Sequence, residues 1–195
     1  MEDGVDLSGV LQAALDLQVF CESRGWDFCF IGGLAYQPWG DPRATQAADL
    51  SLFTGYGNEE FFIDELLSEY SPRRAGGREF GLRSRVLLLW SKDKIAVDIA
   101  LAALPFEKRA VERSQKRLAA PGCELRVCSA EELIVHKAFA ARDRDWADID
   151  GVLLKHAKNL NVAQILEELA PLVALKEEPE ILVKLEALMK KRGAL

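Results

Sequence analysis

Apolar residues in the early part of the chain recur at two different periods. Val10, Leu11, Ala14, Leu15, Val19 and Phe20 follow three- and four-residue spacings, so residues 7–24 predict one amphipathic helix closed at Arg24-Gly25. Residues 26–31 (WDFCFI) are short and aromatic-rich, the pattern of a buried strand, and Gly32-Gly33 ends it. Residues 34–39 predict a short helix broken by Gly40-Asp41-Pro42. Residues 48–53 predict the next strand and residues 54–58 a turn.

Further along, Phe61, Phe62, Leu66 and Leu67 mark a second amphipathic helix over residues 59–69, followed by a loop at 71–77 (SPRRAGG). Two partly β-branched runs, 86–90 and 95–101, flank Ser91-Lys92-Asp93-Lys94 and predict a hairpin. Residues 106–119 mix charges with Ala110, Val111 and Leu118 and predict a surface helix, and 124–127 one edge strand. From Ser129 the pattern is wholly helical. Ser129 and Glu132 form a capping box, and helices are expected near 146–157, 162–173 and 178–191. The expected organisation is an α/β domain at 1–128 and a helical C-terminal lobe at 129–195.

Composition narrows the class without naming a function. With 195 residues, 49% hydrophobic and 29% charged, the chain is globular and long enough for a substantial core. No apolar run approaches the roughly 20 residues that span a bilayer, and the Met1-Glu2-Asp3-Gly4 start is acidic, unlike a secretory signal. Cys21, Cys29, Cys123 and Cys128 form no CxxC pair and are accompanied by only two histidines, so buried, reduced thiols in a cytoplasmic protein are expected rather than a zinc site. A net charge of −6 disfavours broad attachment to nucleic acid. Arg73, Arg74, Arg78, Arg83 and Arg85 form one basic cluster, expected to be a solvated loop, with a mobile phosphate- or RNA-contacting loop as the alternative.

The chemistry concentrates in two strands. Alternation places residues 47, 49 and 51 on one face of the predicted strand. Acids two apart there would lie roughly 6 to 7 Å from each other, a spacing that clasps a pair of divalent ions in phosphoryl transfer. Asp98 interrupts an apolar strand on the face it shares with Ala96 and Ala100, and a charge so placed needs a partner or a metal. Gly32-Gly33 after a strand lets backbone amides approach phosphate oxygens without a Cβ in the way. A glycine pair alone is more often only a tight turn; its fixed distance from Asp49 gives it weight.

This order of a strand, Gly-Gly, a spacer, an acidic strand and a later strand acid resembles the nucleotidyltransferase superfamily. The segments Ile31-Gly32-Gly33-Leu34-Ala35-Tyr36, Trp39-Gly40, Pro42-Arg43-Ala44-Thr45, 131–140 and 142–148 resemble its AbiEii-like, minimal branch, many of whose members are toxins of bacterial toxin–antitoxin pairs. The resemblance implies an α/β fold: a mixed, mainly antiparallel sheet flanked by helices, with the helical lobe closing one side of a cleft. It implies that Gly32, Gly33, Arg43 and Thr45 bind nucleotide, that Asp49 and Asp98 hold Mg2+ or Mn2+, and that Lys137 reaches the triphosphate. Asp148, or less favourably Asp145, matches the acid of the following helix. The implied partners are a nucleoside triphosphate such as ATP, an RNA (tRNA) or protein acceptor, and a cognate antitoxin protein.

The pattern has one gap: Ala47 stands where the first metal-binding acid belongs. Because the other matched residues are intact, an engineered silencing of an active site fits better than natural decay. The alternatives are transfer to a small molecule such as an antibiotic, and a catalytically dead nucleotide-binding module. For Lys137 the ordinary reading is a solvated helix lysine, and for Asp145 and Asp148 a solvated salt-bridge face.

Overall fold

The computed structural model describes residues 7–195, and side chains from Gly9 onward; the acidic Met1-Glu2-Asp3-Gly4 start lies outside the described residues. The chain forms two compact units, one holding the chain up to Leu34 with Arg43–Cys128, the other Ala35–Pro42 with Ser129–Leu195.

The first unit is built on a mixed sheet. In chain order its elements are α1 (Leu7–Ser23), β1 (Phe28–Phe30), the start of α2 (Gly32–Tyr36), β2 (Ala47–Phe53), α3 (Glu59–Glu69), β3 (Ser71–Pro72), α4 (Gly77–Ser84), β4 (Val86–Trp90), β5 (Ala96–Ala102), α5 (Pro105–Glu112), β6 (Gln115–Ala120) and β7 (Cys123–Val127). The strands lie in the order β3-β4-β5-β2-β1-β7-β6. The β2–β5 and β1–β7 pairs are parallel and the other four antiparallel, the mixed, mainly antiparallel sheet that the sequence predicts.

Strand alternation divides the two faces of this sheet. Ala48, Leu50 and Leu52 of β2 align with Val97, Ile99 and Leu101 of β5, and Leu87 and Leu89 of β4 continue the row; all are buried. α1 turns Val10, Ala14, Leu17 and Cys21 inward, and all four are inaccessible to solvent. Truncating one such leucine to alanine typically costs about 2–5 kcal/mol. The opposite face of β2 and β5 carries the half-exposed Ala47, Asp49, Ala96 and Asp98. A packed apolar face thus fixes the register of the chemical one.

Three predicted elements differ. α4 lies where no helix was expected, because its glycines weaken the helical signal. They are there for packing: a Cβ on Gly81 would meet Ile63 and Leu87 side chains at 3.2 Å, so α4 sits tightly on α3 and β4. The surface helix expected at 106–119 stops at Glu112, and its second half is strand β6. Gln, Lys, Arg, Leu and Ala favour helices locally, but pairing with β7 overrides that preference, and charged side chains suit an exposed edge. β7 is consequently an interior strand between β1 and β6, not the edge. The four cysteines are buried and free, and burial pushes the Cys21 thiol up to about 12. No helix among the described residues is long and apolar enough to cross a membrane.

The second unit is helical: α6 (Ala130–Ala140), α7 (Asp143–His156), α8 (Val162–Lys176) and α9 (Glu180–Arg192), with a short 3-10 turn at Ala157–Asn159. Ser129 caps α6 by accepting from the Glu132 amide, and the Glu132 carboxylate takes the Gln164 amide group at 2.8 Å. Arg192 clamps Asp150 with two bonds of 2.6 and 2.7 Å, tying α9 to α7. Segment 35–42 is fastened to α7. Lys155 Nζ donates to Gly40 O at 2.8 Å and pairs with Asp41 at 2.7 Å, and Trp39 meets His156 edge to face. A Cβ on either Gly40 or Gly151 would overlap the Tyr36 phenol, so both glycines are needed to seat that ring.

His136 is half-buried in this unit, where desolvation, aided by the Lys137 charge, lowers its pKa from 6.5 to about 4. The folded protein therefore keeps it neutral while the unfolded chain takes up a proton near pH 6.5. Stability is full above pH 6.5 and falls as pH drops toward 4, by up to roughly 3 kcal/mol. Urea denaturation should show a loss of about 2 kcal/mol between pH 7 and pH 5, and less than half that loss in His136→Gln.

Candidate functional site

β2 and β5 run parallel and in register, Ala47 beside Ala96 and Asp49 beside Asp98. Residues paired in this way project to the same side of the sheet, about 4.8 Å apart at the backbone. The two acids singled out from separate parts of the sequence are therefore neighbours on one face. The next pair toward the start of both strands is Ala47–Ala96, so the floor beside the acids is made of methyl groups alone.

The glycine turn adjoins Asp49. β1 pairs antiparallel with β2, and the Ile31 amide donates to Asp49 O at 2.9 Å, delivering the turn to that point of the strand. Gly32 has φ +62, and a Cβ there would lie 2.8 Å from Asp49 Cγ. A Cβ on Gly33 would lie 2.8 Å from Thr45 Cβ and 3.7 Å from Arg43 Nη1. Both positions exclude a side chain because the turn rests on the segment leading into β2. Thr45 Oγ1 donates to Ala47 O at 3.3 Å and Arg43 Nη1 to Ala44 O at 3.1 Å, which shapes that segment. Gly32, Gly33, Arg43, Thr45, Asp49 and Asp98 are thus gathered in the first unit.

Arg73 belongs to the basic cluster of the sequence, whose pairing with Asp98 no sequence pattern indicates. Instead of belonging to a solvated loop, its guanidinium forms an ion pair with Asp98. Its backbone amide donates to Leu88 O at 2.9 Å, and its guanidinium carbon lies 5.5 Å from the Trp90 ring centre. Its side chain is 23% exposed, and its Nε is buried without a hydrogen-bond partner. The strand that delivers it, Ser71-Pro72, is too short to read from sequence. A cavity of about 510 Å³ opens beside the pair, bounded by Gln46, Ala47, Arg73, Trp90, Lys94 and Ala96 among others.

This donor set does not fit a pair of divalent ions. Two-metal sites hold their ions through several shared oxygen ligands. Here Asp49 and Asp98 are the aligned carboxylates, Asp98 already faces a guanidinium, and Ala47 offers no oxygen. Among the described residues no group of three or more histidines, cysteines or acids could hold a metal.

Lys137 and Asp148 lie in the second unit. Lys137 projects from α6 to α7, where Nζ bonds Asp148 at 2.5 Å and Asp145 at 3.5 Å, with the Tyr36 ring 5.9 Å away. Arg142 pairs with Asp145 at 2.6 Å. Lys137 is 5% exposed, Asp145 and Asp148 3% each, so none is the solvated side chain that local composition suggested. Removing one member of such a buried set leaves an uncompensated charge. Lys137→Met should lower stability by about 3–5 kcal/mol in urea denaturation, and adding Asp148→Leu should restore much of it.

No protein-family model matches the chain, and no curated protein matches it in sequence. Solved structures do match. The antibiotic-resistance factor ANT(2'')-Ia superposes with a TM-score of 0.57 at 13% identity, over 89% of this chain and 96% of that one. An antigenic nucleotidyltransferase-like protein from Paracoccidioides brasiliensis gives 0.53 at 16% identity, over 94% and 93%. The lincosamide antibiotic adenylyltransferase LnuA, solved with lincomycin, gives 0.50 at 13% identity, over 72% and 94%. Likeness at these identities is likeness of architecture, and it establishes that the chain has the nucleotidyltransferase fold.

Proposed function

We propose that the chain binds a nucleoside triphosphate on the β2–β5 face bearing Asp49 and Asp98, as the nucleotide half of a nucleotidyl-transfer site, and that Ala47 leaves transfer impaired. The observation that carries this reading is the in-register pairing of Asp49 with Asp98 beside a turn whose two glycines seat on Asp49 and Thr45. Gly32 and Gly33 let the turn close on Asp49 and Thr45, and Arg43 supplies a guanidinium near Gly33 for a phosphate to meet. An acid at 47 would share the face of Asp49 and Asp98 and complete a three-carboxylate set able to hold Mg2+ or Mn2+. With alanine there, no step of the present chain is routed through such ions. Lys137 enters the proposal as the residue that holds α6 to α7, since its Nζ already meets two carboxylates.

The reaction would be attack of an acceptor hydroxyl on the α-phosphate, with pyrophosphate leaving. RNA, tRNA included, or a protein hydroxyl is the acceptor that the sequence resemblance favours, with a cognate antitoxin as regulator. A small-molecule acceptor is the second reading. It is supported by the likeness to ANT(2'')-Ia and to lincomycin-bound LnuA, whose chains are covered almost entirely.

Ala47→Asp is the test. With Mg2+, radiolabelled nucleoside triphosphates, and either cell extract or a panel of antibiotics as acceptors, the variant should transfer on the order of 100-fold more label than the unaltered chain. The labelled product, whether RNA, protein or small molecule, identifies the acceptor. No label transferred to any acceptor by the variant would sink the transferase reading.

A further inference from the structure

The disagreement between the fold and its donor set points to a different cation. A three-carboxylate face would draw divalent ions by its charge, but here one acid is absent and another already has a positive partner in Arg73. The cavity beside that pair is bounded by two cations, Arg73 and Lys94, and by one acid, Asp98. An aspartate at 47, which borders the same cavity, would cancel the excess positive charge. Alanine there leaves it in place and clears the floor, where Ala47 and Ala96 lie side by side.

The local structure holds Arg73 for such a role. Its backbone is pinned to Leu88 O, Trp90 lies against its guanidinium, and Asp98 takes one edge of the fork. The fork has five N–H donors, of which Nη2 carries the Asp98 bond while Nε is buried with no acceptor, so that carboxylate does not use up its bonding capacity. Lys94, in the left-handed region at φ 59, stands on the turn between β4 and β5 at the same cavity. In the sheet, β2 lies between β5 and the strand leading into the glycine turn, with Asp49 on the face of Ala47 and against Gly32.

We propose that Arg73, assisted by Lys94, takes the place of the divalent cation: the cavity over Ala47 and Ala96 receives a phosphate of the nucleotide on the guanidinium, and binding needs no metal. This rests on the nucleotide-binding reading and adds what charge holds the phosphates. The consequence is a chain that captures nucleoside triphosphate in a chelator, with a guanidinium fork as the phosphate clamp.

The test is isothermal titration of the purified full chain with inorganic tripolyphosphate and with ATP, in EDTA and in Mg2+. The expected result is binding in EDTA that Mg2+ does not strengthen. Arg73→Gln should weaken it about 10- to 100-fold, the range for a charge-assisted bond, whereas Arg74→Gln, the same charge change on the exposed neighbour, should leave it unchanged. Binding by the unaltered chain only in Mg2+ overturns the inference and leaves the nucleotide reading standing. Binding in neither condition overturns both. Equal losses in the Arg73 and Arg74 variants also overturn it, because they indicate diffuse attraction rather than a clamp. The comparison of EDTA with Mg2+ uses the unaltered chain and decides the matter even where a variant fails to fold.

Discussion

Two carboxylates side by side on parallel strands repel each other, and the site is organised around that repulsion. The register of β2 against β5 is set by the apolar row of Leu50, Leu52, Ile99 and Leu101 on the far face, so Asp49 and Asp98 cannot slide apart without exposing the core. Like charges so close require a counter-charge. The counter-charge that the structure supplies is the guanidinium of Arg73 beside Asp98, and the proposed reading is that an acid at residue 47 would shift the choice toward a metal.

The glycines follow from the same constraint. A turn that must rest on Asp49 and Thr45 has no space for a Cβ at either position, and Gly32 takes a left-handed backbone besides. Their presence is therefore a packing requirement of the acid-bearing strand. In the helical unit, burial is handled by a related device. Lys137 sits between Asp145 and Asp148, and Arg142 attends Asp145, so that the charges of α6 and α7 satisfy one another out of water.

Much of this was legible in the sequence because periodicity and short-range spacing carry it. Alternation alone places Asp49 on the face of Ala47, and the small neighbours of Asp98 mark it as a charge set into an apolar strand. That the two acids are adjacent follows from the parallel pairing of β2 with β5, which no local pattern encodes. The misread elements share one cause, tertiary context over local preference. Glycines chosen for close packing hid α4, and pairing with β7 drew the helix-favouring residues of β6 into an edge strand. The pairing of Arg73 with Asp98 was invisible because it depends on a two-residue strand and on a partner 25 residues away. The burial of Asp145 and Asp148 was hidden for a similar reason, since a run of charges looks solvated until the helices covering it are known, whereas the apolar helix around Lys137 already made a solvated lysine less routine.

On the proposed reading, the charge set of the β2–β5 face, through Ala47 and Arg73, decides whether the site takes metal. Titrating Mn2+ into the unaltered chain and into Ala47→Asp, with free Mn2+ read by electron paramagnetic resonance, tests it without reference to any substrate. The unaltered chain should show no tight Mn2+ binding, and the variant should bind it tightly. Tight binding of Mn2+ by the chain as it stands, with alanine at 47, would contradict it.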